Sequence, residues 1–195
     1  MIFFLILLLF ICIYQIKFNK NGFDDYLGKD QTTCIKGIFV LIIFLSHYNS
    51  YTSGVLKIGQ LNNIYLYVFT YISQLMVAPF LFYSGYSICY SIVNKKDYIK
   101  KFPKNRFLKV LLQFILAVLL YLVMNLIMHN YYSVKTIFLS FTGWDSIGNS
   151  NWFVFSLLCL YFITYVIFKI MKSKVNYKSV LLITISTIAL IILLR

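Results

Sequence analysis

Long apolar runs broken by short polar intervals make up this chain, and the runs are far too long for strands. They lie near residues 1–17, 35–55, 64–93, 107–128, 152–171 and 179–195. A hydrocarbon core of about 30 Å takes about 20 helical residues to cross, and each run reaches or approaches that length. The pattern predicts an all-α, multi-pass integral membrane bundle of about six transmembrane helices. The third run is overlong and contains Pro79, followed by Ser84-Gly85. It is expected to tilt, kink or break there, because proline removes a backbone donor and neighbouring helices must satisfy the freed groups. No repeat or low-complexity linker divides the chain, so residues 1–195 read as a single membrane domain.

The polar intervals set the orientation. Lys17, Lys20, Lys29 and Lys36 lie between or beside the first two runs. Lys95, Lys96, Lys100, Lys101, Lys104, Arg106 and Lys109 lie between or just inside the third and fourth, and Lys169, Lys172, Lys174 and Lys178 separate the last two. Fifteen of the 18 basic residues therefore share one side, while the alternate loops hold only Lys57 and Lys135. Cytoplasmic loops carry such an excess, so the N-terminus is expected outside. Trp144, Trp152, Tyr131 and Tyr132 then flank the outer ends of the fourth and fifth runs, where amphipathic rings belong.

Composition narrows the class. Hydrophobic residues make up 61% of the chain, mean hydropathy is +0.83 and charged residues are 12%, which excludes a soluble globular domain. A net charge of +13 alone would allow a nucleic-acid partner, but the cations sit between apolar runs. A lipid bilayer accounts for both properties; nucleic acid accounts for one. Cys12, Cys34, Cys89 and Cys159 have no metal or disulfide spacing and read as small buried hydrophobes. The first run lacks a basic leader region and a small-residue cleavage site, so it reads as a helix rather than a signal peptide.

Within the second run, Lys36 and His47 stand out against an apolar background. Eleven helical steps come within about 20° of three full turns, so the two share a face about 16 Å apart along the axis. Ionisable groups are costly in a bilayer and mark functional sites. The alternative is that Lys36 snorkels to one interface and His47 caps the other. Orientation places Lys36 at the cytoplasmic mouth and His47 deep in the membrane or toward its outer half.

Three further segments are candidates. Phe82-Tyr-Ser84-Gly85-Tyr86 sets a hydroxyl and a glycine beside the expected break, where small residues also serve helix packing. Pro103-Lys104-Asn105-Arg106 ends the basic interval; Arg106 is the only arginine before Arg195, and its planar fork suits phosphate better than lysine does. Gly148-Asn-Ser-Asn151-Trp152-Phe153 leads into the fifth run, as an interfacial anchor or as a substrate contact.

Together these segments resemble a family. Lys36-x10-His47 resembles the Arg-x10-His signature of the membrane-bound acyltransferase 3 family. Phe82-Tyr-Ser84-Gly85-Tyr86 is similar to its Phe-x-Ser-Gly-Phe segment, Arg106 to its arginine-rich segment, and Trp152-Phe153 with Leu160-Tyr161 to its Trp-Phe-Leu helix. All four occur in family order across about residues 30–170. The resemblance implies transfer of an acyl group, typically acetyl from acetyl-CoA, to hydroxyls of cell-wall or surface glycans or similar acceptors. It implies a bacterial plasma membrane, acyl-CoA as the donor, no permanently bound cofactor and no metal. Lys36, Lys104 and Arg106 are expected to hold CoA phosphates. A neutral imidazole at His47 is expected to act as general base on the acceptor hydroxyl, or on Ser84 if an acyl-enzyme forms. Ser84, Gly85, Asn151 and Trp152 are the expected substrate contacts.

The chain departs from the family pattern in three respects. Lys36 replaces arginine, keeping charge but losing bidentate geometry. Trp152, Phe153, Val154 and Leu157 stand where one branch carries Trp-Ser-Leu-x-x-Glu, so the acidic partner is absent. The family has about ten helices, and a helix over Ser179–Leu194 would span only about 24 Å. The chain is therefore expected to be an N-terminal portion, completed by further helices or a second subunit. Two rival readings remain, a non-catalytic membrane remnant or scaffold and a small transporter passing anions or protons by Lys36 and His47.

Overall fold

The computed structural model describes residues 2–14, 27–52, 60–172 and 174–193, and every regular element in them is helical. In order these are α1 (Ile2–Ile13), α2 (Lys29–Thr52), α3 (Gln60–Asn94), α4 (Tyr98–Phe102), a π-helical turn (Pro103–Leu108), α5 (Lys109–Ile127), α6 (Val134–Ser140), α7 (Trp152–Ile170) and α8 (Tyr177–Leu193). They form two compact units, Met1–Tyr86 and Ser87–Arg195, each described by itself below.

Four helical stretches are long and apolar enough to cross a membrane: Lys29–Tyr48, Leu75–Asn94, Tyr98–Ile127 and Trp152–Ile170. Six were expected. The last expected span is a 17-residue helix, α8, and the first is the 12-residue α1; residues 15–17 of that expected span lie outside the described residues. The intervals holding Lys17, Lys20 and Lys57 lie outside them as well.

Two helices start well before the predicted apolar runs. α2 begins at Lys29 because its polar first turns satisfy themselves. The hydroxyls of Thr32 and Thr33 donate to the carbonyls of Gly28 and Lys29 at 2.9 and 2.7 Å, and Asp30 complements the positive end of the helix. Helix resumes after α3 at Tyr98 rather than near residue 107, so the expected basic loop shrinks to a turn at Lys95–Asp97. Asp97 takes a left-handed conformation there (φ 55°), and its carboxylate accepts from Lys100 at 2.6 Å. That hydrogen bond, with the Lys100 charge, holds the Asp97 carboxyl below the usual carboxylate range. The pair is exposed and worth little to stability.

Of the expected tilt, kink or break in the third run, α3 excludes the break. It runs unbroken for 35 residues through Pro79, with Ser84 and Gly85 in its interior. Among the described residues, no atom lies within 4 Å of where a Cβ on Gly85 would stand, so close helix approach does not use that glycine. Cys34, expected buried, is exposed on α2.

In the second unit, aromatic packing joins the start of the long helical stretch to α7. Phe102, almost fully buried, meets Tyr98 and Tyr161 edge-on at 5.9 and 5.7 Å and stacks on Tyr165 at 6.2 Å. Tyr161, Tyr165 and Phe168 recur at i, i+4 and i+7 and so line one face of α7. Ile88, Ile92 and Ile99 complete this core. A second cluster buries Phe114, Val118 and Ile147 between α5 and the segment before α7. α8 opens with a reciprocal cap, in which Asn176 Oδ1 accepts from the Ser179 amide at 3.0 Å and Ser179 Oγ accepts from the Asn176 amide at 3.1 Å.

α5 ends in a Schellman turn. The amides of His129 and Asn130 donate to Leu126 and Asn125 carbonyls at 3.2 and 2.9 Å, which puts His129 at φ 57°. A side chain in that region is strained by about 1–2 kcal/mol, partly offset by the greater unfolded-state freedom of glycine. His129→Gly should therefore stabilise the protein by about 0.5–1 kcal/mol and raise its melting temperature by about 1–4 °C. Thermal unfolding in detergent checks this; a lower melting temperature would refute the strain argument.

Candidate functional site

Lys36, His47, Ser84 and Gly85 belong to the first unit. α2 is continuous across Lys36 and His47, so the shared face expected from their spacing exists. Their surroundings differ. Lys36 is the eighth residue of the 20-residue apolar stretch and is half-buried, whereas His47 is the nineteenth and is exposed. The seven residues before Lys36 are mostly polar, so it stands where the apolar run of α2 begins. Its ammonium stands 5.9 Å from the ring centroid of Tyr83 on α3. A ring face attracts a cation by about 0.5–2 kcal/mol, more where water is excluded, which offsets part of the cost of this lysine.

One turn further on, Phe39 meets Phe80 edge-on at 5.9 Å. As α2 ascends from 36 to 39, its partners on α3 descend from 83 to 80, so the two helices pack antiparallel. Ser84 is therefore level with Lys36, and about 16 Å of axial rise separates that level from His47. A general base works within about 3 Å of its proton, so this arrangement does not bring His47 to the Ser84 hydroxyl.

Lys104, Arg106, Asn151 and Trp152 belong to the second unit. Pro103 opens the π-helical turn that carries Arg106. Proline has no N–H, so the carbonyl four residues before it loses its helical donor, and the ladder widens locally. Arg106 is consequently in mid-helix rather than at a helix entry. Its Nε donates to Tyr98 Oη at 2.9 Å and its Nη2 to Ser87 Oγ at 3.0 Å. Both acceptors are neutral, and Arg106 has no carboxylate partner among the described residues. The guanidinium is half-buried with its charge uncompensated and three N–H donors left over. Tyr98 also lines a cavity of about 420 Å³ with Asn94, Lys95, Lys96 and Asp97. Lys104 is exposed, and no side-chain partner is found for it among the described residues.

The segment before α7 is a built turn. Gly143 (φ 78°) ends α6, and a Cβ there would come within 3.3 Å of Phe155 Cβ, so only glycine fits without movement. Asn125 donates from α5 to the Ile147 carbonyl at 2.8 Å. Asn151 Nδ2 donates both its hydrogens inward, to the carbonyls of Gly143 and Asp145 at 2.9 and 2.6 Å. Its amide nitrogen is thus spent on the turn, while Trp152 is 58% exposed beside it.

Tyr83, Ser87, Tyr98 and Asn125 were not singled out from sequence. Tyr98 and Ser87 precede Arg106 by eight and nineteen residues, spacings without helical meaning once a turn intervenes. Pro103 within a helical pattern was the one available signal, since proline there forces a local rearrangement. Asn151→Asp replaces a two-proton donor by a charge facing two carbonyls. It should cost the turn about 1–3 kcal/mol, read as faster hydrogen exchange at residues 143–150. Unchanged exchange would return Asn151 to a purely substrate-facing role.

A family model described as an acyltransferase domain, acyltransferase 3, matches residues 31–194. No curated protein matches the chain, and no solved structure does. The match takes in all four helical stretches apolar enough to cross a membrane, save the first two residues of the earliest. The chain belongs to the acyltransferase 3 family of membrane acyltransferases.

Proposed function

We propose that the protein transfers an acyl group, acetyl in the simplest case, from acyl-CoA to a hydroxyl of an extracytoplasmic glycan or similar surface acceptor. The observation that carries the donor assignment is Arg106, a half-buried guanidinium held by two hydroxyls and uncompensated by any carboxylate among the described residues. Such a group suits an anion with several acceptor oxygens, and CoA offers phosphates. Lys104, two residues before Arg106, adds a point charge, and Lys36 carries one of its own within the first unit.

His47 serves as the general base. Its imidazole takes the proton of the acceptor hydroxyl as the oxygen attacks the thioester carbonyl. The new C–O bond forms, the C–S bond breaks, and the CoA thiolate leaves and is protonated. The about 16 Å of helix between the levels of His47 and Ser84 favours this direct route over an acyl-serine. Trp152 contributes to the acceptor side; Ser84 and Gly85, level with Lys36, are too far from His47 to share it.

The protein is proposed to reside in a bacterial plasma membrane with its N-terminus outside, as the distribution of its cations supports. A cysteine placed at Lys96 should then resist impermeant labelling in intact cells, while one at Ser150 reacts. Labelling at 96 from outside would reverse the orientation and the side of donor entry.

Release of CoA from acetyl-CoA by the purified full-length protein in proteoliposomes tests the reaction. His47→Ala should lower kcat by about 10²–10⁴-fold while leaving the donor KM nearly unchanged. Near-normal turnover in that variant would remove His47 from the chemistry. Ion flux without CoA release in the wild type would identify a transporter instead.

A further inference from the structure

We infer that Ser87 and Tyr98 are positioning residues for the donor step, fixing the Arg106 guanidinium in the orientation in which it meets an anionic group. The inference rests on the assignment of acyl-CoA as donor. The two contacts fall on the same edge of the guanidinium, since Nε and Nη2 form its side-on pair. Occupying that edge leaves the end-on pair, Nη1 and the second hydrogen of Nη2, as a parallel pair not used by either hydroxyl. Two parallel N–H groups match two oxygens of a phosphate.

The choice of partner supports the same reading. A carboxylate at either position would hold the arginine equally well but cancel its charge and compete with an incoming anion. Hydroxyls accept the hydrogen bonds and leave the charge intact. Ser87 stands on α3 and Tyr98 on α4, so the clamp closes across the Lys95–Asp97 turn and beside the cavity that Tyr98 lines. Burial of Phe102 against the Tyr98 ring fixes one jaw independently of any ligand. An arginine ordered before binding loses less side-chain freedom on binding, an advantage of about two- to tenfold in affinity.

Two measurements on the full-length protein test this. Steady-state turnover of acetyl-CoA is compared among wild type, Tyr98→Phe, Ser87→Ala and Ser87→Thr, and each substitution is repeated with Arg106→Gln. The rate of phenylglyoxal modification at Arg106 is followed in parallel by mass spectrometry. Tyr98→Phe and Ser87→Ala should each raise the donor KM about two- to tenfold with kcat little changed, and Ser87→Thr should restore it. Neither should add to the effect of Arg106→Gln, and Arg106 should be modified faster in both variants. A loss of kcat at constant KM, or equal losses with and without Arg106, would overturn the positioning role. Identical Arg106 modification in all variants would overturn the clamp whatever the donor. A wild type that neither turns over nor binds acetyl-CoA would instead overturn the donor assignment.

Discussion

Phe102 packs among three tyrosines, and much of what residues 87–195 present follows from that contact. Its ring ties the first turn after α3 to the middle of α7, so helix must already exist at residues 98–102. Helix there, followed at once by Pro103, forces the ladder to adjust, and the π-helical turn is the adjustment. Arg106 lies on that turn, and its side chain reaches back to Tyr98, whose ring is itself part of the aromatic cluster. An apolar packing contact thereby fixes the direction of a charge four residues away.

The same economy handles other polar groups in this apolar chain. Water is scarce around transmembrane helices, and each donor or acceptor needs a partner within the protein. Thr32 and Thr33 bond back to their own helix, and Lys36 uses a tyrosine face. Asn125 and Asn151 bond to carbonyls of the turn before α7. None of these partners carries a charge. Among the described residues, positive charge at Lys36 and Arg106 is therefore sheltered without a carboxylate beside it.

Two turns of the second unit differ in kind. Where the Lys95–Asp97 turn is exposed and rich in cations, the turn before α7 is closed on itself by Asn125, Asn151 and the buried Ile147. A polar sequence such as Gly148-Asn-Ser-Asn151 looks available to a ligand, yet its asparagines organise backbone. Burial of Ile147 accounts for part of that, because its amide goes in with it and is met by Asn149 Oδ1 at 3.2 Å.

Hydrophobic periodicity by itself determined the helical class, the membrane and the approximate place of most spans, because hydrocarbon length and backbone hydrogen bonding leave a chain few choices. Motif spacing along one helix was equally legible, so Lys36 and His47 could be set on a common face and the family resemblance recognised from four short segments. The starts of α2 and α4 were not legible, although the ends of α3, α5 and α7 fall within a residue of the apolar runs. Polar residues at 29–34 and 98–106 are helical because threonine hydroxyls and aromatic packing support them, and neither effect appears in a hydropathy profile. Nor could the sequence say that Ser84 lies level with Lys36 and far from His47, or that Ser87 and Tyr98 grip Arg106. Those facts depend on how α3 packs on α2 and how the chain turns at 95–97, and only tertiary contacts decide them.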